Sequence, residues 1–298
     1  MEKILSIVNL NKRYGKIHAV DNFSLDIDKG SIYGILGPNG SGKTTTLGII
    51  LNVINPDSGT YSWFGEPNSK ENRKRIGAIL EQPIFYPYLS AVKNLRIIAD
   101  IKGADHEDIE RVLNVVDLFH RKDSKFRTYS YGMKQRLAIG AALLGKPEVL
   151  IFDEPTNGLD PKGIAEIRDL IISIARDGIT ILLASHLLDE VQKTCSHVAV
   201  LKEGKKLFAG KVGDVLNLKD SVEISARDND QLYNILGGFQ EGMEIVRERE
   251  ILVIKLKEGT TIYDLNQYLV AKGIVVTHLA SRKKSLEDQF LQLLTESK

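Results

Sequence analysis

The stretch Ser31 to Asn52, SIYGILGPNGSGKTTTLGIILN, constrains the chain most: a short apolar run, a glycine-rich loop and a helical pattern follow one another directly. Ser31 to Leu36 has the composition of a buried strand, and the spacing predicts a helix from Lys43 or Thr44 to Leu51. Between them, Gly37-Pro38-Asn39-Gly40-Ser41-Gly42-Lys43-Thr44, followed by Thr45, satisfies G-x-x-x-x-G-K-[ST]. Glycine takes positive φ without a Cβ penalty, so Gly37, Gly40 and Gly42 let the backbone wrap with its N–H groups converging. The product is an anion-sized cradle at the positive end of a helix dipole. Lys43 can reach β- and γ-phosphates from it, and the Thr44 hydroxyl is placed to ligate Mg²⁺. A turn that only joins strand to helix is the competing reading; the strand before and helix after argue for a nucleotide.

With 298 residues, 43% hydrophobic and 27% charged, there is room for one large domain and a small one. A net charge of +1 argues against a chain-wide basic footprint, so no nucleic-acid partner is expected. The single cysteine, Cys195, permits no intrachain disulfide and suits a reducing cytosol as a small buried apolar residue. The N-terminus MEKILSIVNL lacks the layout of a secretory signal, and no apolar run approaches the roughly 20 residues that cross a bilayer. Any membrane role must then pass through a partner.

Residues 4–10 and 23–27 read as strands, with a turn around Gly15 that contains Tyr14. Tyr14 is either an ordinary surface aromatic or a flat face for an adenine ring. Thr60 to Phe64 and Arg75 to Glu81 read as further strands, the second ending at Gln82-Pro83, where the proline excludes helix. Helical patterns at 91–102 and 106–118 form an inserted region. The preceding run Phe85-Tyr86-Pro87-Tyr88-Leu89 suits either packing or the grip of another protein. A helix over about 134–144 has Ser130 and Gly132 just before it, as a cap or as a phosphate contact.

Glu148 to Glu154 reads as an apolar strand that delivers two carboxylates at its C-terminal end, where open parallel sheets bind ligands. Asp153 is suited to the Mg²⁺ shell and Glu154 to accepting a proton from an attacking water. Asn157 to Asp160 is a turn, and Pro161 opens the next helix. Strand 179–184 ends at Ser185-His186, the third polar group delivered to this edge, and a lone histidine there reads by itself as hydrogen-bonded structure. Helix 187–195 and a hairpin over 197–209 close this part. Beyond about 220, strands at 222–225, 243–248, 251–256 and 274–279 alternate with helices at 229–236, 261–271 and 285–295, a βαββαβ order with a final helix, which is ferredoxin-like. The last helix has a capping box at Ser285 and Asp288 and an apolar stripe of Leu286, Phe290, Leu293 and Leu294, which reads as core or as a docking face.

Taken in order, Gly37 to Thr44, Gln82, YSYGMKQR, Asp153-Glu154, Asp160 and His186 resemble the ATP-binding cassette ATPases over about residues 2–215. The resemblance implies Tyr14 as the adenine-stacking aromatic, Gln82 as a lid residue that contacts Mg²⁺ and water, Asp160 as the cross-dimer loop and His186 as the γ-phosphate switch. It also implies that two cassettes sandwich two ATP molecules, each held by the P-loop of one chain and the signature helix of the other. Here Tyr129, Tyr131 and Met133 replace the leucine, first glycine and glutamine of the common LSGGQ signature, while Ser130 and Gly132 remain. The GMKQR ending, the run at 85–89 and the tail SLEDQFLQLL look like bacterial exporters of the bacitracin-resistance type.

The expected architecture is α/β: a P-loop NTPase core with an antiparallel β edge sheet and an inserted helical subdomain at 1–216, plus a small ferredoxin-like α+β domain at 217–298. The expected function is the ATPase subunit of an export transporter, using ATP and Mg²⁺. It would lie at the inner face of the membrane with a separate transmembrane permease, paired with a second ATPase subunit, a homodimer ahead of a heterodimer. A soluble cassette acting on ribosomes, nucleic acid or an assembly complex is the alternative, and the altered signature motivates a regulatory form that binds ATP without turnover.

Overall fold

In a computed structural model, which describes residues 2–80, 83–213, 221–239, 244–257 and 259–282, the chain divides into two compact units, Met1–Val212 and Gly213–Lys298. The first begins with a long antiparallel hairpin, β1 (Lys3–Tyr14) and β2 (Ile17–Asp28). Both strands outrun the predicted spans, so Tyr14 ends β1 instead of lying in a turn. Asn9 and Asn22 take positive φ and absorb register shifts, which breaks the apolar alternation in sequence while the pairing continues.

β3 (Ile32–Leu36) leads through the glycine loop to α1 (Lys43–Ile50). β4 (Ser58–Trp63) and β5 (Glu66–Pro67) then add to the hairpin in the order β2-β1-β4-β5. Trp63 is fully buried, and its indole N–H donates to the Ile50 carbonyl at 2.8 Å, satisfying one of the orphan acceptors at the end of α1. The edge sheet therefore holds the phosphate-loop helix from behind.

After α2 (Lys70–Lys74) and β6 (Ile76–Ile79) come α3 (Ala91–Lys102), α4 (Asp108–Val115) and α5 (Tyr131–Leu143). α5 starts three residues before the predicted Lys134, because the Ser130 hydroxyl accepts from Met133 N at 3.2 Å and caps a helix that includes Gly132. Its other end is closed by Lys102, whose ammonium donates to the carbonyls of Ala141 (2.9 Å), Ala142 (2.9 Å) and Leu144 (3.2 Å), and by Arg111 to Leu143 (3.0 Å). β7 (Val149–Asp153), α6 (Pro161–Arg176), β8 (Thr180–Ser185), α7 (Leu188–Thr194), β9 (His197–Lys202) and β10 (Lys205–Lys211) follow.

The main sheet has the order β10-β9-β3-β8-β7-β6, parallel throughout except for β10. β7 and β8 are buried at every residue, as strands covered on both faces must be. Register decides the function: Leu36 lies beside Ser185, and Asp153 beside Ala184. The residues that leave β3, β7 and β8 therefore emerge on one edge.

In the second unit, β11 (Ser221–Ala226), α8 (Asn229–Leu236), β12 (Ile245–Glu248), β13 (Ile251–Lys255), α9 (Ile262–Ala271) and β14 (Val276–Arg282) build an antiparallel sheet of order β12-β13-β11-β14. Val222, Ile224, Leu252 and Ile254 bury against Leu232, Leu236, Leu265 and Leu269 of the helices. Thr261 and Asp264 form a capping box at the start of α9. The helix expected over 285–295 lies outside the described residues.

Candidate nucleotide site

The loop from Gly37 to Gly42 is closed by contacts that admit no side chain at two of its glycines. A Cβ on Gly37 would sit 2.4 Å from both the Leu201 carbonyl and the Ser41 hydroxyl, and one on Gly42 only 2.1 Å from the Ala19 carbonyl. Gly42 also has φ 102°. The Ser41 hydroxyl is buried and has no hydrogen-bond partner among the described residues. Pro38 accepts from Ser41 N at 3.1 Å, which tightens the turn through Asn39 and Gly40, and Thr45 lies in the first turn of α1.

Lys43 is buried, and its ammonium spans the loop, donating to Gly37 O at 2.8 Å and Pro38 O at 3.3 Å. It also lies 3.4 Å from Glu154 Oε1. Beside it, the Thr44 hydroxyl donates to Asp153 Oδ2 at 2.7 Å, a bond between residues 109 positions apart. One carboxylate and one hydroxyl, both hard oxygen donors, fit a magnesium ion that takes its remaining ligands from phosphate and water. No group of three or more His, Cys, Asp or Glu among the described residues makes a cage of its own.

Glu154 has φ 49°, a left-handed conformation that costs a non-glycine residue on the order of 1 kcal/mol. Its N–H is held by the Ala184 carbonyl at 2.9 Å. This turn brings the carboxylate back over the sheet edge between Lys43 and His186. His186 Nδ1 lies 2.9 Å from Glu154 Oε2. An ionised carboxylate can only accept, so Nδ1 carries the proton and Nε2 is left to face outward. Lys43, Thr44, Asp153, Glu154 and His186 thus converge from three strand ends, an arrangement able to bind phosphates and take a proton from water.

Such a convergence on a strand–loop–helix cradle is matched by known sequences: the pattern described as "ABC transporter" fits residues 20–157. The bacitracin transport ATP-binding protein BcrA of Bacillus licheniformis is 39% identical over 303 residues, covering 99% of this chain and 98% of that protein. The chain belongs to the ABC transporter family. The cassette is also 37% identical to the lantibiotic transport ATP-binding protein SrtF of Streptococcus pyogenes over 217 residues, 73% of this chain and 95% of that one. Among solved structures, cbiO1 from Clostridium perfringens, part of the ABC transporter complex cbiONQ, superposes with a TM-score of 0.65 at 31% identity, covering 72% of this chain and 91% of that chain. The cassette is an ATP-hydrolysing subunit of an export transporter, and the non-transport alternative finds no support among these relatives.

Other expected site residues stand apart. Tyr14 is half exposed at the end of β1, with the Lys12 ammonium 5.6 Å from its ring. Its strand pairs with β2 next to Ala19, the residue packed on Gly42. Ser130 caps α5 and Gly132 lies in its first turn, where a Cβ would lie 3.8 Å from Leu159 Cδ2. Asp160 spends its side chain as the cap of α6, accepting from Gly163 N at 2.8 Å. Gln82 lies outside the described residues. Sequence reasoning did not find Lys102, Arg111 and Asn94, which organise the helical region; a basic residue at the end of a helix is the one signal that Lys102 gives.

Proposed function

We propose that Glu154 is the general base for ATP hydrolysis, supported above all by its place between Lys43 at 3.4 Å and His186 at 2.9 Å. Lys43 and the loop N–H groups of Asn39, Gly40 and residues 42–45 bind the β- and γ-phosphates, with Gly37, Pro38 and Ser41 shaping the cradle, and Tyr14 stacks on the adenine. Thr44 and Asp153 hold Mg²⁺, with Gln82 as a further ligand. When bound, that ion neutralises phosphate charge as the β–γ bond breaks. Glu154 takes the proton of the attacking water, and His186 orients the γ-phosphate through the ring nitrogen that Glu154 leaves free.

On this reading two copies of the chain close on two ATP molecules. Ser130 and Gly132 of one chain complete the site of the other, and the turn ending at Asp160 crosses between them. A separate transmembrane permease docks on the helical region. The support is an exposed set, Ile84, Tyr86 and Tyr88, beside a cavity of about 250 Å³ lined by Ile79, Phe85, Ile98, Ala138 and Ala142. Asn94 braces this surface from inside, accepting from Tyr86 N at 2.8 Å and donating to the carbonyls of Tyr86 and Ser90, both at 3.1 Å. Among the described residues no helix is long and apolar enough to cross a membrane, so a peripheral position at the inner face, through the permease, fits the transport role. A net charge of +1 gives no reason to add nucleic acid. The division of labour at 1–216 and 217–298 makes the second part a ferredoxin-like accessory domain, in keeping with its antiparallel order β12-β13-β11-β14, and the antiparallel sheet of β1, β2, β4 and β5 is the edge sheet of the core.

Glu154→Gln tests the assignment. Steady-state hydrolysis should fall by about 10² to 10⁴, the usual worth of general-base catalysis, while ATP binding persists and an ATP-bound dimer accumulates in sedimentation. Wild-type turnover in that variant would remove Glu154 from the role.

A further inference from the structure

The residue that departs most from the family signature, Tyr131, has a specific seat. It is the first residue of α5, 38% exposed, and its ring occupies the space that a side chain at Gly158 would need: a Cβ on that glycine would lie 3.4 Å from Cε1, 3.7 Å from Cζ and 3.8 Å from the phenol oxygen. Gly158 has φ 79°, so the chain turns there with its Cα open toward the ring. Leu159 completes the contact from the other side, its Cδ2 lying 3.8 Å from the Cβ position of Gly132. The tip of the signature helix thus rests on the Asn157–Asp160 turn of its own chain through ring and methyl carbons.

That turn is tied to the reacting end of the site. Asn157 N donates to the Glu154 carbonyl at 3.1 Å and Leu159 N to Thr156 O at 3.3 Å, and Asp160 anchors the far end as the cap of α6. Only Pro155 and Thr156 separate Glu154 from Asn157. The helix end that presents Ser130 and Gly132 therefore lies beside the segment that continues from Glu154, with the partly exposed Tyr131 ring over the open side of Gly158.

We propose that Tyr131 is a positioning residue that struts the signature tip of α5 against the Asn157–Asp160 turn, so that the half-site this chain lends to a neighbour and the half-site it keeps move together. The inference rests on the two-chain sandwich of the preceding section. A glycine at this position would remove the ring from that space. The tyrosine replaces a flexible backbone position with a lever between the two sites, and cooperativity is what such a lever governs.

The test uses the full-length chain and three variants, Tyr131→Ala, Tyr131→Phe and Tyr131→Leu, read by ATP-dependence of hydrolysis and by ATP-driven dimerisation in a Glu154→Gln background. Tyr131→Ala should bring the Hill coefficient toward one and lower kcat by about 3- to 10-fold, within the range that coupling residues command, with KM changed less than about twofold and thermal midpoint close to wild type. Tyr131→Phe should behave as wild type, since the contact is made by ring carbons. If Tyr131→Ala does not fold, Tyr131→Leu, which keeps bulk but not the flat ring, takes its place with the same expectation. A wild-type Hill coefficient and kcat in the ring-less variants, with dimerisation intact, would overturn the strut alone. Equal damage from Tyr131→Phe would also overturn it, assigning the hydroxyl to the neighbour's phosphate. A Glu154→Gln chain that never dimerises with ATP would overturn the sandwich and the strut with it.

Discussion

The edge of the main sheet and the tip of α5 both carry residues expected to touch nucleotide, yet they are built on opposite terms. At the sheet edge, Lys43, Asp153 and Ser41 are buried, and Lys43, Thr44, Asp153, Glu154 and His186 bond one another within a single chain. At the helix tip, Ser130 is exposed, its hydroxyl accepting the local cap bond from Met133 N, and a Cβ on Gly132 would approach Leu159 no closer than 3.8 Å. The first region is preorganised by parallel strands whose register is fixed over the whole sheet. The second is a surface, shaped to be completed by something else. A site divided in this way is rigid where charge develops and open where a second chain must arrive and leave.

Loss of Glu154 by Glu154→Gln is the largest expected blow to the preorganised side, as set out above. Next comes Lys43→Ala, which removes an ammonium aimed into the loop. Charge-assisted hydrogen bonds contribute about 1.5–3 kcal/mol, so ATP affinity should weaken by roughly 10- to 100-fold in equilibrium binding of a fluorescent nucleotide analogue. Unchanged affinity would mean that the buried amine serves only to close the loop.

Asn94→Ala should act on the helical region alone. It strands the N–H of Tyr86, while the Tyr86 and Ser90 carbonyls keep the N–H groups of Leu89 and Asn94, so the cost to stability should be about 1–3 kcal/mol by denaturant unfolding, with coupling to the permease impaired while nucleotide binding stays intact. Ser130→Ala should cost about 1 kcal/mol as a lost helix cap. The sharper outcome is kinetic: turnover should fall while the isolated chain binds ATP as before if, as proposed, Ser130 serves the phosphate of a neighbour. Weakened binding by the monomer would erase the distinction between the two regions.

A last effect, read through pH, concerns the far end of α5. Burial pushes the Lys102 ammonium down to about 8 from 10.5, against the opposing pull of Asp108. The unfolded chain then binds more protons than the folded one between these values, so this group adds to stability as pH rises from about 8 toward 10.5. Asp108 has the opposite tendency: burial raises its carboxyl, but the hydrogen bonds from Arg111 and Gly145 outweigh it and hold the carboxyl below its ordinary value, so its contribution fades only as acid protonates it. Unfolding measured at pH 8 and pH 10 in wild type and Lys102→Met should show the alkaline gain only in the wild type.

The parts legible in the sequence were those closed by local chemistry. The spacing of Gly37, Gly40, Gly42, Lys43 and Thr44 fixes a loop whose hydrogen bonds and glycine torsions lie within a few residues, and the acidic pair Asp153-Glu154 announces itself as the end of an apolar strand. The hairpin was harder, because bulges at Asn9 and Asn22 disguise its length and with it the place of Tyr14. The start of α5 was misplaced by three residues, since a serine followed by Tyr131 and Gly132 looks like loop until the Ser130 cap is seen. Tertiary structure alone decided that Thr44 would meet Asp153 across 109 residues, that Lys102 would close α5 and that Tyr131 would lean on Gly158. Strand order and helix packing bring those groups together, and neither is encoded at the spacing where a sequence pattern can be read: local bonds determine the parts, whereas burial of many distant apolar side chains determines which parts touch.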